Sequence, residues 1–493
     1  MKIKKLLSDI EVLSSSGRTD QSVRFLLTDS RRVVPESLFF AVPGANTNGC
    51  KYINEAIERG AIAVVSESKQ RPIDPILFIQ VRDVHNTMAK ISKRFYGFPD
   101  QSIPITGVTG TNGKSTVAHL LQFYYKKQSK KCGLLGTIEY DLGDRTLPAH
   151  RTTPESVDTF SMLAEMVKSG CQEAVMEVSS HGIDQKRIAN LELDTAVFTN
   201  LTQDHLDYHS DMEDYFRVKS CLFDRSQGTS IKKAIINLDD PYGFRLSKIV
   251  PNPVKIITFG TDKTATLKIS KIRLSAQGCI FNISVGDKEF EINSPLLGKY
   301  NVSNVTAALA VLYAKGYSLE DFKDALVDFR GVPGRMERVT KNLDYTILVD
   351  YAHTPDALRN ALSMLKNIVP GKIILVFGCG GNRDRRKRPE MLKVAINYTD
   401  VTIATSDNPR GELINDIFKD MLEGNNPSDS IYFIKDREKA IQRALRVANS
   451  GDCVLVAGKG HETYQEYSDT IVPFEDRKVI GKLLEKENLS LTK

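Results

Sequence analysis

A glycine-rich segment, GVTGTNGKST (107–116), has the residue types best suited to chemistry. It lies between a short apolar run and a helical pattern, so backbone N–H groups and a helix N-terminus would surround a phosphate. Lys114 would reach the β- and γ-phosphates of a nucleotide, and Ser115 would offer its hydroxyl to Mg²⁺. Val108 stands where the usual P-loop has its first glycine. An ordinary tight turn is the alternative, but strand, loop, Lys–Ser pair and helix together favour phosphate binding.

Two further segments place carboxylates and imidazoles just after apolar runs. Glu177, in MEVSSHG (176–182), could hold Mg²⁺ beside a phosphate loop; a solvated glutamate is the alternative. In NLTQDHLDYH (200–209), Asp204, His205 and Asp207 could serve a second metal or orient a substrate. A hydrogen-bonded loop is the other interpretation of that segment, and periodicity does not choose between them.

The chain directly after this segment predicts a helix. Ser210 and Glu213 have the spacing of a capping box, so the helix is predicted to begin here. Lys219 lies on this helix, and its sequence neighbours predict an ordinary surface lysine.

Polar loops also follow apolar runs in the last third of the chain. VDYAHTPDAL (349–358) places Asp350 and His353 past a strand, either to contact a nucleotide or to cap a helix. FGCGGNRDRRKRP (377–389) joins a glycine-rich turn to five basic side chains, without the GxGxxG spacing of a dinucleotide site. No aromatic residues interleave the basic run, so a carboxylate or phosphate suits it better than nucleic acid. A solvated face is the remaining alternative.

The last two polar loops carry an arginine and a glutamate. A proline turn in SDNPRGE (406–412) presents Arg410, whose guanidinium could bind a carboxylate through two parallel hydrogen bonds. An exposed arginine on a turn is the alternative. AGKGHE (457–462) places Gly458 and Glu462 at a further strand end. Because open α/β sheets bind ligands at the carboxyl ends of their strands, the joint position of these loops is stronger evidence than any single motif.

The elements that would position these residues alternate between strands and helices, which favours parallel α/β sheets. The 493 residues exceed one core, and roughly 150 residues per domain suggests about three domains. We predict an α/β fold with an N-terminal domain (1–98), a central P-loop-type parallel sheet (99–331) and a C-terminal Rossmann-like domain (332–493). Alternating apolar and polar residues over 266–294 predict an antiparallel β insertion in the central domain.

Composition is that of a soluble globular protein, with 41% hydrophobic and 26% charged residues. A net charge of +6 is small for this length and hints at anionic ligands without indicating a nucleic-acid binder. The seven cysteines are scattered without a CxxC pair, which fits a reducing cytosol better than a disulfide framework or zinc site. The basic start lacks an apolar signal region, and no apolar run approaches the roughly 20 residues of a membrane helix.

Taken in order along the chain, these motifs resemble those of the Mur ligases of peptidoglycan synthesis. The matching segments cover nearly the whole chain and are TGTNGKST, RTTP, MEVSSHG, TQDHLDYH, YNVSN, VPGRME, DYAHTPD, GCGGNRD, DNPR and GKGHE. The resemblance is to the branch that adds the third residue to UDP-N-acetylmuramoyl-L-alanyl-D-glutamate. It implies ATP and Mg²⁺ as cofactors, an acyl phosphate intermediate, and a cytoplasmic monomer with no nucleic-acid or membrane partner.

The resemblance also implies a role for each matching position. ATP and its metal would be held by Gly110, Thr111, Asn112, Gly113, Lys114, Ser115, Thr116 and Glu177, and flanked by Asn301, Asn304, Arg335, Asp350 and His353. The UDP-muramoyl dipeptide would contact Ser30, Thr152, Thr153, Ser179, Gln185 and Arg187. His205 would lie near the metals, and Lys219 matches the lysine that this family carbamylates into an anionic metal ligand. The incoming amino acid would be bound by Arg383, Asp407, Asn408, Pro409, Arg410, Gly458 and Glu462.

In this family DNPR is associated with meso-diaminopimelate. Diaminopimelate carries a distal carboxylate that L-lysine lacks, and Arg410 would pair with that carboxylate. An L-lysine-adding ligase and a folylpolyglutamate synthase are the rivals within the class. DNPR weighs against the first, and a uridine-type first domain, with its TDSRR motif, weighs against the second. A nucleotide-gated nucleic-acid-binding protein is the rival from another class.

Overall fold

A computed structural model of the protein describes residues 1–44, 48–69, 76–206, 208–339, 343–426 and 429–491. The chain forms two compact units. The first unit comprises Met1–Ser270, Ile283–Glu289 and Ser303–Phe322, and the second comprises Lys271–Asn282, Phe290–Val302 and Lys323–Lys493.

The first unit begins with a five-stranded sheet of order β1-β5-β4-β3-β2, parallel except for β1. Its strands are β1 (Val12–Ser16), β2 (Phe25–Leu27), β3 (Ser37–Phe40), β4 (Ala61–Ser66) and β5 (Leu77–Val81). Its helices are α1 (Ile3–Leu6), α2 (Ile53–Glu58) and α3 (Val84–Phe95), with 3₁₀ turns at Ser30–Arg32 and Gly49–Tyr52. Buried aliphatic side chains of β3, β4 and β5 form the core between sheet and helices.

A larger sheet follows, in whose parallel part β6 lies between β11 and β10. Its strands are β6 (Ile105–Thr109), β7 (Cys132–Leu135), β8 (Glu139–Asp141), β9 (Thr146–Pro148), β10 (Glu173–Glu177), β11 (Glu192–Phe198), β12 (Ser230–Asn237), β13 (Lys255–Gly260), β14 (Leu267–Ser275), β15 (Gly278–Val285) and β16 (Lys288–Ser294). Every residue of β6 and β10 is buried, as expected of parallel strands covered by helices on both faces.

The helices of this region precede, separate or follow these strands in the chain. They are α4 (Pro99–Ser102), α5 (Lys114–Lys127), α6 (Ser156–Lys168), α7 (Ser180–Asp184), α8 (Met212–Ser220), α9 (Pro241–Ile249), α10 (Lys299–Ala314) and α11 (Leu319–Leu326). Because β6, β10 and β11 are parallel neighbours, their carboxyl ends deliver the loops after Thr109, Glu177 and Phe198 to one edge of the sheet.

The second unit contains a six-stranded sheet of order β17-β18-β22-β19-β20-β21, parallel except for β17. Its strands are β17 (Glu337–Arg338), β18 (Thr346–Asp350), β19 (Ile373–Cys379), β20 (Val401–Ser406), β21 (Ile431–Phe433) and β22 (Cys453–Ala457), followed by the hairpin β23 (Tyr464–Tyr467) and β24 (Thr470–Pro473). Its helices are α12 (Pro355–Ile368), α13 (Lys387–Tyr398), α14 (Ile414–Leu422), α15 (Arg437–Val447) and α16 (Asp476–Leu491).

A fully buried arginine secures two site loops of this unit at their starting points. Arg437 forms a bidentate pair with Asp476, with nitrogen–oxygen distances of 2.7 and 2.8 Å. It also donates to the carbonyls of Ser406 and Ala457, the last residues of β20 and β22. Both strands are thereby fixed where their polar loops begin.

The predicted fold class, α/β with a parallel central sheet and a Rossmann-like C-terminal sheet, is confirmed. The helices predicted over 114–127 and 156–168 are α5 and α6, and the alternating segment forms β14, β15 and β16. The domain boundaries near 98 and 331 stay predictions. No helix in the described ranges is both long and apolar enough to span a membrane.

The predicted helix cap at Ser210 is wrong by one residue. Helix α8 begins at Met212, and Asp211 is its N-cap, accepting a hydrogen bond from the Asp214 N–H at 2.8 Å. Both serine and aspartate are favoured caps, and the backbone of the preceding loop decides between adjacent candidates.

Candidate active site

The glycine-rich segment forms the loop between β6 and α5. Gly110 and Gly113 have φ angles of +146° and +89°, which side-chain-bearing residues rarely adopt. A Cβ at Gly110 would lie 1.9 Å from Thr199 Oγ1, and one at Gly113 would lie 2.2 Å from Asn304 Oδ1. Both glycines are therefore required by close packing as well as by backbone conformation.

The start of α5 concentrates positive charge on this loop. Lys114 is the first residue of the helix, and its ammonium donates to the carbonyls of Gly110 and Thr111 at 2.9 and 2.8 Å. The following residues Ser115 and Thr116 are half-buried in the first turn. The Lys114 ammonium and the N-terminus of α5 thus place positive charge together at the loop, which suits the binding of phosphate.

The two residues that follow β11, Thr199 and Asn200, hydrogen-bond to the phosphate loop, and no motif in the sequence predicted these contacts. The Asn112 N–H donates to Asn200 Oδ1 at 2.9 Å, and the hydroxyl of Thr199 donates to the Asn112 carbonyl at 2.6 Å. The Thr111 N–H donates to the Asn200 carbonyl at 2.9 Å. The only sequence signal for these contacts was the polar Thr–Asn pair that ends the apolar run.

A buried carboxylate lies beside the first turn of α5. Glu177 ends β10 and is 1% exposed. Its Oε2 accepts hydrogen bonds from the hydroxyls of Ser115, at 2.9 Å, and Thr137, at 3.0 Å, while Oε1 accepts the Thr137 N–H at 2.9 Å. The structure thus brings Ser115 and Glu177, both predicted to hold Mg²⁺, into contact, and adds Thr137, which no motif indicated.

This donor set fits Mg²⁺, a hard cation that proteins hold through one or two carboxylates together with substrate phosphates. A hydroxyl and a carboxylate beside a phosphate loop supply oxygen ligands of that kind. Within the part of the chain that the structure describes, no group of three or more His, Cys, Asp and Glu side chains is placed to hold a metal. Phosphate oxygens of a bound nucleotide would add further ligands of the same kind.

The prediction that Lys219 is a surface lysine is wrong. The side chain is 1% exposed, and its nitrogen donates to the Gly110 carbonyl at 3.1 Å and lies 4.7 Å from the ring centre of Tyr215. Burial, and then the charge of Lys114, hold the pKa of Lys219 well below its usual value. Burial therefore favours the neutral form of the Lys219 amine, which lies next to the phosphate loop.

His205 lies in an aromatic group at the side of this region. Its ring centre is 5.0 Å from that of His181 and 6.2 Å from that of Tyr215, whose hydroxyl lies 3.3 Å from Thr111 Oγ1. The imidazole is 3.6 Å from the carboxylate of Asp204. Tyr215 thus links His205 to both the phosphate loop and Lys219, while Asp207 lies outside the described residues.

Several residues predicted for the dipeptide substrate form one hydrogen-bonded group. The Thr153 hydroxyl donates to the Glu177 carbonyl at 3.0 Å and lies 3.1 Å from the hydroxyl of Ser179. Arg187 donates to the Thr153 carbonyl at 2.9 Å and to Gln185, and burial lowers its pKa. Thr152 joins the group through Thr137, with 3.1 Å between hydroxyls.

Ser30 lies in the N-terminal sheet region rather than in that group. It is buried in the 3₁₀ turn after β2, where its hydroxyl donates to Glu55 Oε2 at 2.7 Å.

The residues predicted to flank the nucleotide belong to both units. Asn304 lies against Gly113 in the first unit. The second-unit residues are Asn301, which donates to the Leu297 carbonyl at 2.8 Å, Arg335, 5.1 Å from the ring centre of Tyr351, and Asp350 and His353 at the end of β18. Asp350 accepts the Met336 N–H at 2.7 Å, and burial raises its pKa.

A cavity of about 290 Å³ in the second unit brings together the loops after β18, β19, β20 and β22. Six of the seven residues predicted for the amino acid line it: Arg383, Asp407, Asn408, Arg410, Gly458 and Glu462. The seventh, Pro409, is buried beside them and turns the chain. His353, Lys387 and Tyr351 are further lining residues.

Opposite charges line different parts of this cavity. Arg383, Lys387 and Arg410 are its cations, and Asp407 and Glu462 are its carboxylates. Burial raises the pKa of Asp407, whose Oδ2 makes no hydrogen bond. A site of this kind suits a zwitterion, because it offers separate partners to an ammonium and a carboxylate.

A buried lysine that the sequence analysis missed organises the acidic side. Lys459 is fully buried and donates to Asn408 Oδ1 at 3.1 Å and to Glu462 Oε2 at 2.9 Å. The Asn408 amide also donates to Glu462 Oε2 at 2.9 Å. Glu462 is therefore held in place through its Oε2 atom.

Comparison with known proteins accounts for this arrangement. Models described as "Mur ligase family, catalytic domain", "Mur ligase middle domain" and "Mur ligase, glutamate ligase domain" match residues 22–96, 108–312 and 334–460. A Solibacter usitatus protein named UDP-N-acetylmuramoyl-L-alanyl-D-glutamate–2,6-diaminopimelate ligase is 42% identical over 93% of this chain and 93% of its own. The chain belongs to the Mur ligase family.

Other Mur ligases match over nearly the full length. A Geobacillus thermodenitrificans relative with the same name is 41% identical over 97% of this chain and 98% of its own. A solved structure titled as that ligase is 33% identical, with a TM-score of 0.72 and 99% of each chain covered.

The basic run of this Mur ligase is not exposed over its whole length. It is therefore neither a fully solvated face nor a fully open surface for nucleic acid. Arg388 is fully buried, pairs with Glu412 at 2.8 Å and Asp420 at 2.6 Å, and donates to the Gly380 carbonyl at 3.1 Å. Glu412 also accepts the Asn382 N–H at 2.5 Å. These contacts tie the glycine-rich turn to the loop that carries Arg410.

We expect this network to make the Mur ligase lose stability in acid. Hydrogen bonding from Arg388 lowers the pKa of Glu412 from 4.5 to about 2. The contribution of ionised Glu412 to the free energy of unfolding is therefore full above pH 4.5 and is lost as the pH falls toward 2. Glu412→Gln should flatten this dependence, measured as urea midpoints from about pH 6 to about pH 3. Glu423→Gln, at an exposed glutamate, is the control; equal slopes in the wild type and Glu412→Gln would contradict the assignment.

Proposed function

We propose that this Mur ligase joins meso-diaminopimelate to UDP-N-acetylmuramoyl-L-alanyl-D-glutamate, using ATP and Mg²⁺, in peptidoglycan synthesis. Its relatives over nearly the full length carry the name of that ligase. The observation that carries the amino-acid assignment is the cavity in which Arg410 lies with Asn408, Asp407 and Glu462.

The cavity chemistry supports diaminopimelate over L-lysine. The distal end of diaminopimelate carries both an ammonium and a carboxylate, and L-lysine carries only the ammonium. Arg410 and Arg383 are suited to the carboxylate, and Asp407 and Glu462 to the ammonium. An L-lysine side chain would offer no carboxylate to the donors of Arg410 and Arg383 in the cavity, which costs binding free energy.

The proposed reaction has two steps. The D-glutamyl carboxylate takes the γ-phosphoryl group of ATP, so the bond from γ-phosphorus to the bridging oxygen breaks and ADP leaves. The diaminopimelate amine then attacks the acyl carbon of the acyl phosphate. Inorganic phosphate leaves, the amine loses a proton and an amide forms. Lys114 and the N–H groups of the loop would offset the charge of the transferring phosphoryl group.

Ser115 and Glu177 would hold Mg²⁺, which supplies charge neutralisation on the phosphates when it is bound. His205 and a carbamylated Lys219 would complete the metal surroundings. Burial supports this proposal for Lys219, because a lowered pKa leaves the neutral amine that can add to carbon dioxide. The lysine nitrogen bonds to the carbon of carbon dioxide and loses a proton to solvent, and the product is a carbamate whose anionic oxygens suit a hard cation.

The remaining assignments stay predictions. The nucleotide would be flanked by Asn301, Asn304, Arg335, Asp350 and His353, and the UDP-muramoyl dipeptide would be held by Ser30, Thr152, Thr153, Ser179, Gln185 and Arg187. A cytoplasmic monomer without nucleic-acid or membrane partners also stays a prediction.

Phosphate release with ATP, Mg²⁺ and the UDP-muramoyl dipeptide tests the proposal by comparing meso-diaminopimelate with L-lysine. We expect release with diaminopimelate and little with lysine. Arg410→Ala should reduce kcat/KM for diaminopimelate by about 10²-fold or more, because the distal carboxylate of the bound substrate loses the guanidinium that pairs with it away from water. Arg386→Ala, at an exposed arginine of the same unit, is the control. Release with lysine alone would keep the ligase and refute the role of Arg410; no release with either would refute the proposed function.

A further inference from the structure

Arg410 is held from outside the cavity by the hairpin of β23 and β24. The Arg410 N–H donates to the Glu466 carbonyl at 2.9 Å, and the Ser468 N–H donates to the Arg410 carbonyl at 2.8 Å. The backbone of Arg410 is left-handed, with φ at +50°, which is uncommon for a residue with a side chain. The hairpin therefore enforces a backbone conformation that this residue would not favour alone.

The same hairpin also engages the side chain. The Nε of Arg410 lies 2.7 Å from Glu466 Oε2, and its Nη1 donates to the Gly381 carbonyl at 3.0 Å. The two side chains are 21% and 32% exposed, so the pair is substantially shielded from water. Glu466 does not line the cavity, whereas Arg410 does.

These contacts select which donors of Arg410 can serve a ligand. A guanidinium has five N–H donors in a rigid fork. Glu466 accepts from the Nε–H, and the Gly381 carbonyl accepts from one N–H of Nη1. The second N–H of Nη1 and both N–H groups of Nη2 remain for a ligand. A carboxylate bound by Arg410 in the cavity would therefore meet the terminal nitrogens.

The pair also keeps Arg410 away from the other acids of the cavity. Asp407 and Glu462 line the same space, and a mobile guanidinium could pair with either. In the structure its ion-pair partner is Glu466 instead. Arg410 thus stays available to an incoming anion and does not compete with an incoming ammonium for the two carboxylates.

We propose that Glu466 is a positioning residue that sets amino-acid selectivity by fixing the Arg410 guanidinium for the distal carboxylate of the substrate. This inference rests on the proposed function and deepens it. Glu466 acts through Arg410 on amino-acid binding, and the phosphoryl-transfer step is independent of it.

The test measures kcat and KM for meso-diaminopimelate, and the preference over L-lysine, in Glu466→Ala and Glu466→Gln. In Glu466→Ala we expect KM to rise about tenfold with kcat nearly unchanged, and the preference over lysine to fall by a similar factor. Glu466→Gln keeps an oxygen that accepts from Nε, so most of the wild-type KM should return. A general loss of structure would instead lower kcat and the melting temperature in both variants.

A double-mutant cycle separates positioning from other roles. If Glu466 acts only through Arg410, adding Glu466→Ala to Arg410→Ala should change KM by less than about twofold. Glu291→Ala is the matched control, since Glu291 pairs with Arg273 at 2.8 Å and neither residue lines the cavity. It should behave as the wild type.

The outcomes distinguish the two proposals. A wild-type enzyme without diaminopimelate-dependent phosphate release refutes the proposed function and, with it, the role of Glu466. An active wild type with an unchanged KM in Glu466→Ala refutes the role of Glu466 alone, as does an equal rise in KM in the Arg410→Ala background.

Discussion

Lys114→Met should lower kcat for phosphate release by about 10³-fold or more, while the protein remains folded. The ammonium lies on the phosphate loop, 2.9 Å from the Gly110 carbonyl and 2.8 Å from the Thr111 carbonyl. Charge builds on the phosphoryl oxygens during transfer, and methionine has the length of the lysine stem without its charge. Single-turnover phosphate release, combined with calorimetric titration of ATP, would separate the chemical step from nucleotide binding.

Lys127→Met is the matched control for this experiment. Lys127 is an exposed residue in the last turn of the same helix, so the substitution removes one positive charge from α5 at the opposite end. We expect near wild-type kcat in the control. A Lys114→Met enzyme within about tenfold of the wild type would show that the helix N-terminus and loop N–H groups suffice, and would remove Lys114 from the catalytic assignment.

Lys219→Met should lower kcat by about 10²- to 10³-fold and abolish any dependence on carbon dioxide. Burial lowers the pKa of Lys219, so below that pKa the amine is charged and unreactive, and above it the neutral amine can form a carbamate. The wild type should therefore lose activity when carbon dioxide is removed, lose it faster at lower pH, and recover when bicarbonate is added.

Stability should change little in Lys219→Met, because the buried amine makes one hydrogen bond, to the Gly110 carbonyl, and methionine fills a similar volume. Arg217→Ala, at an exposed cation on the same helix, is the control for a lost charge. Equal bicarbonate responses in the wild type and Lys219→Met would contradict carbamylation. Full activity in Lys219→Met would remove the residue from the metal surroundings altogether.

Local features of this Mur ligase could be predicted from sequence because short-range geometry decides them. The strand, glycine-rich loop and helix around Lys114 are contiguous, and the lysine bonds carbonyls three and four residues before it. Parallel strands place their following loops at one edge of the sheet, and the loops that carry Arg410 and Glu462 meet at one cavity for that reason. The family motifs then supplied roles for positions already located on loops.

The sequence alone therefore determined the fold class, the family, the glycine-rich loop before α5 and the loops that line the cavity of the second unit. The tertiary structure decided the burial of Lys219, whose partner Gly110 is 109 residues away in the chain, and the partners Thr137, Lys459 and Glu466 of predicted site residues. Hydrophobic periodicity indicates which face of an element is covered, but not which distant carbonyl or carboxylate meets a polar side chain. A buried charge depends on those partners, so its pKa and its role become visible only when the fold has brought them together.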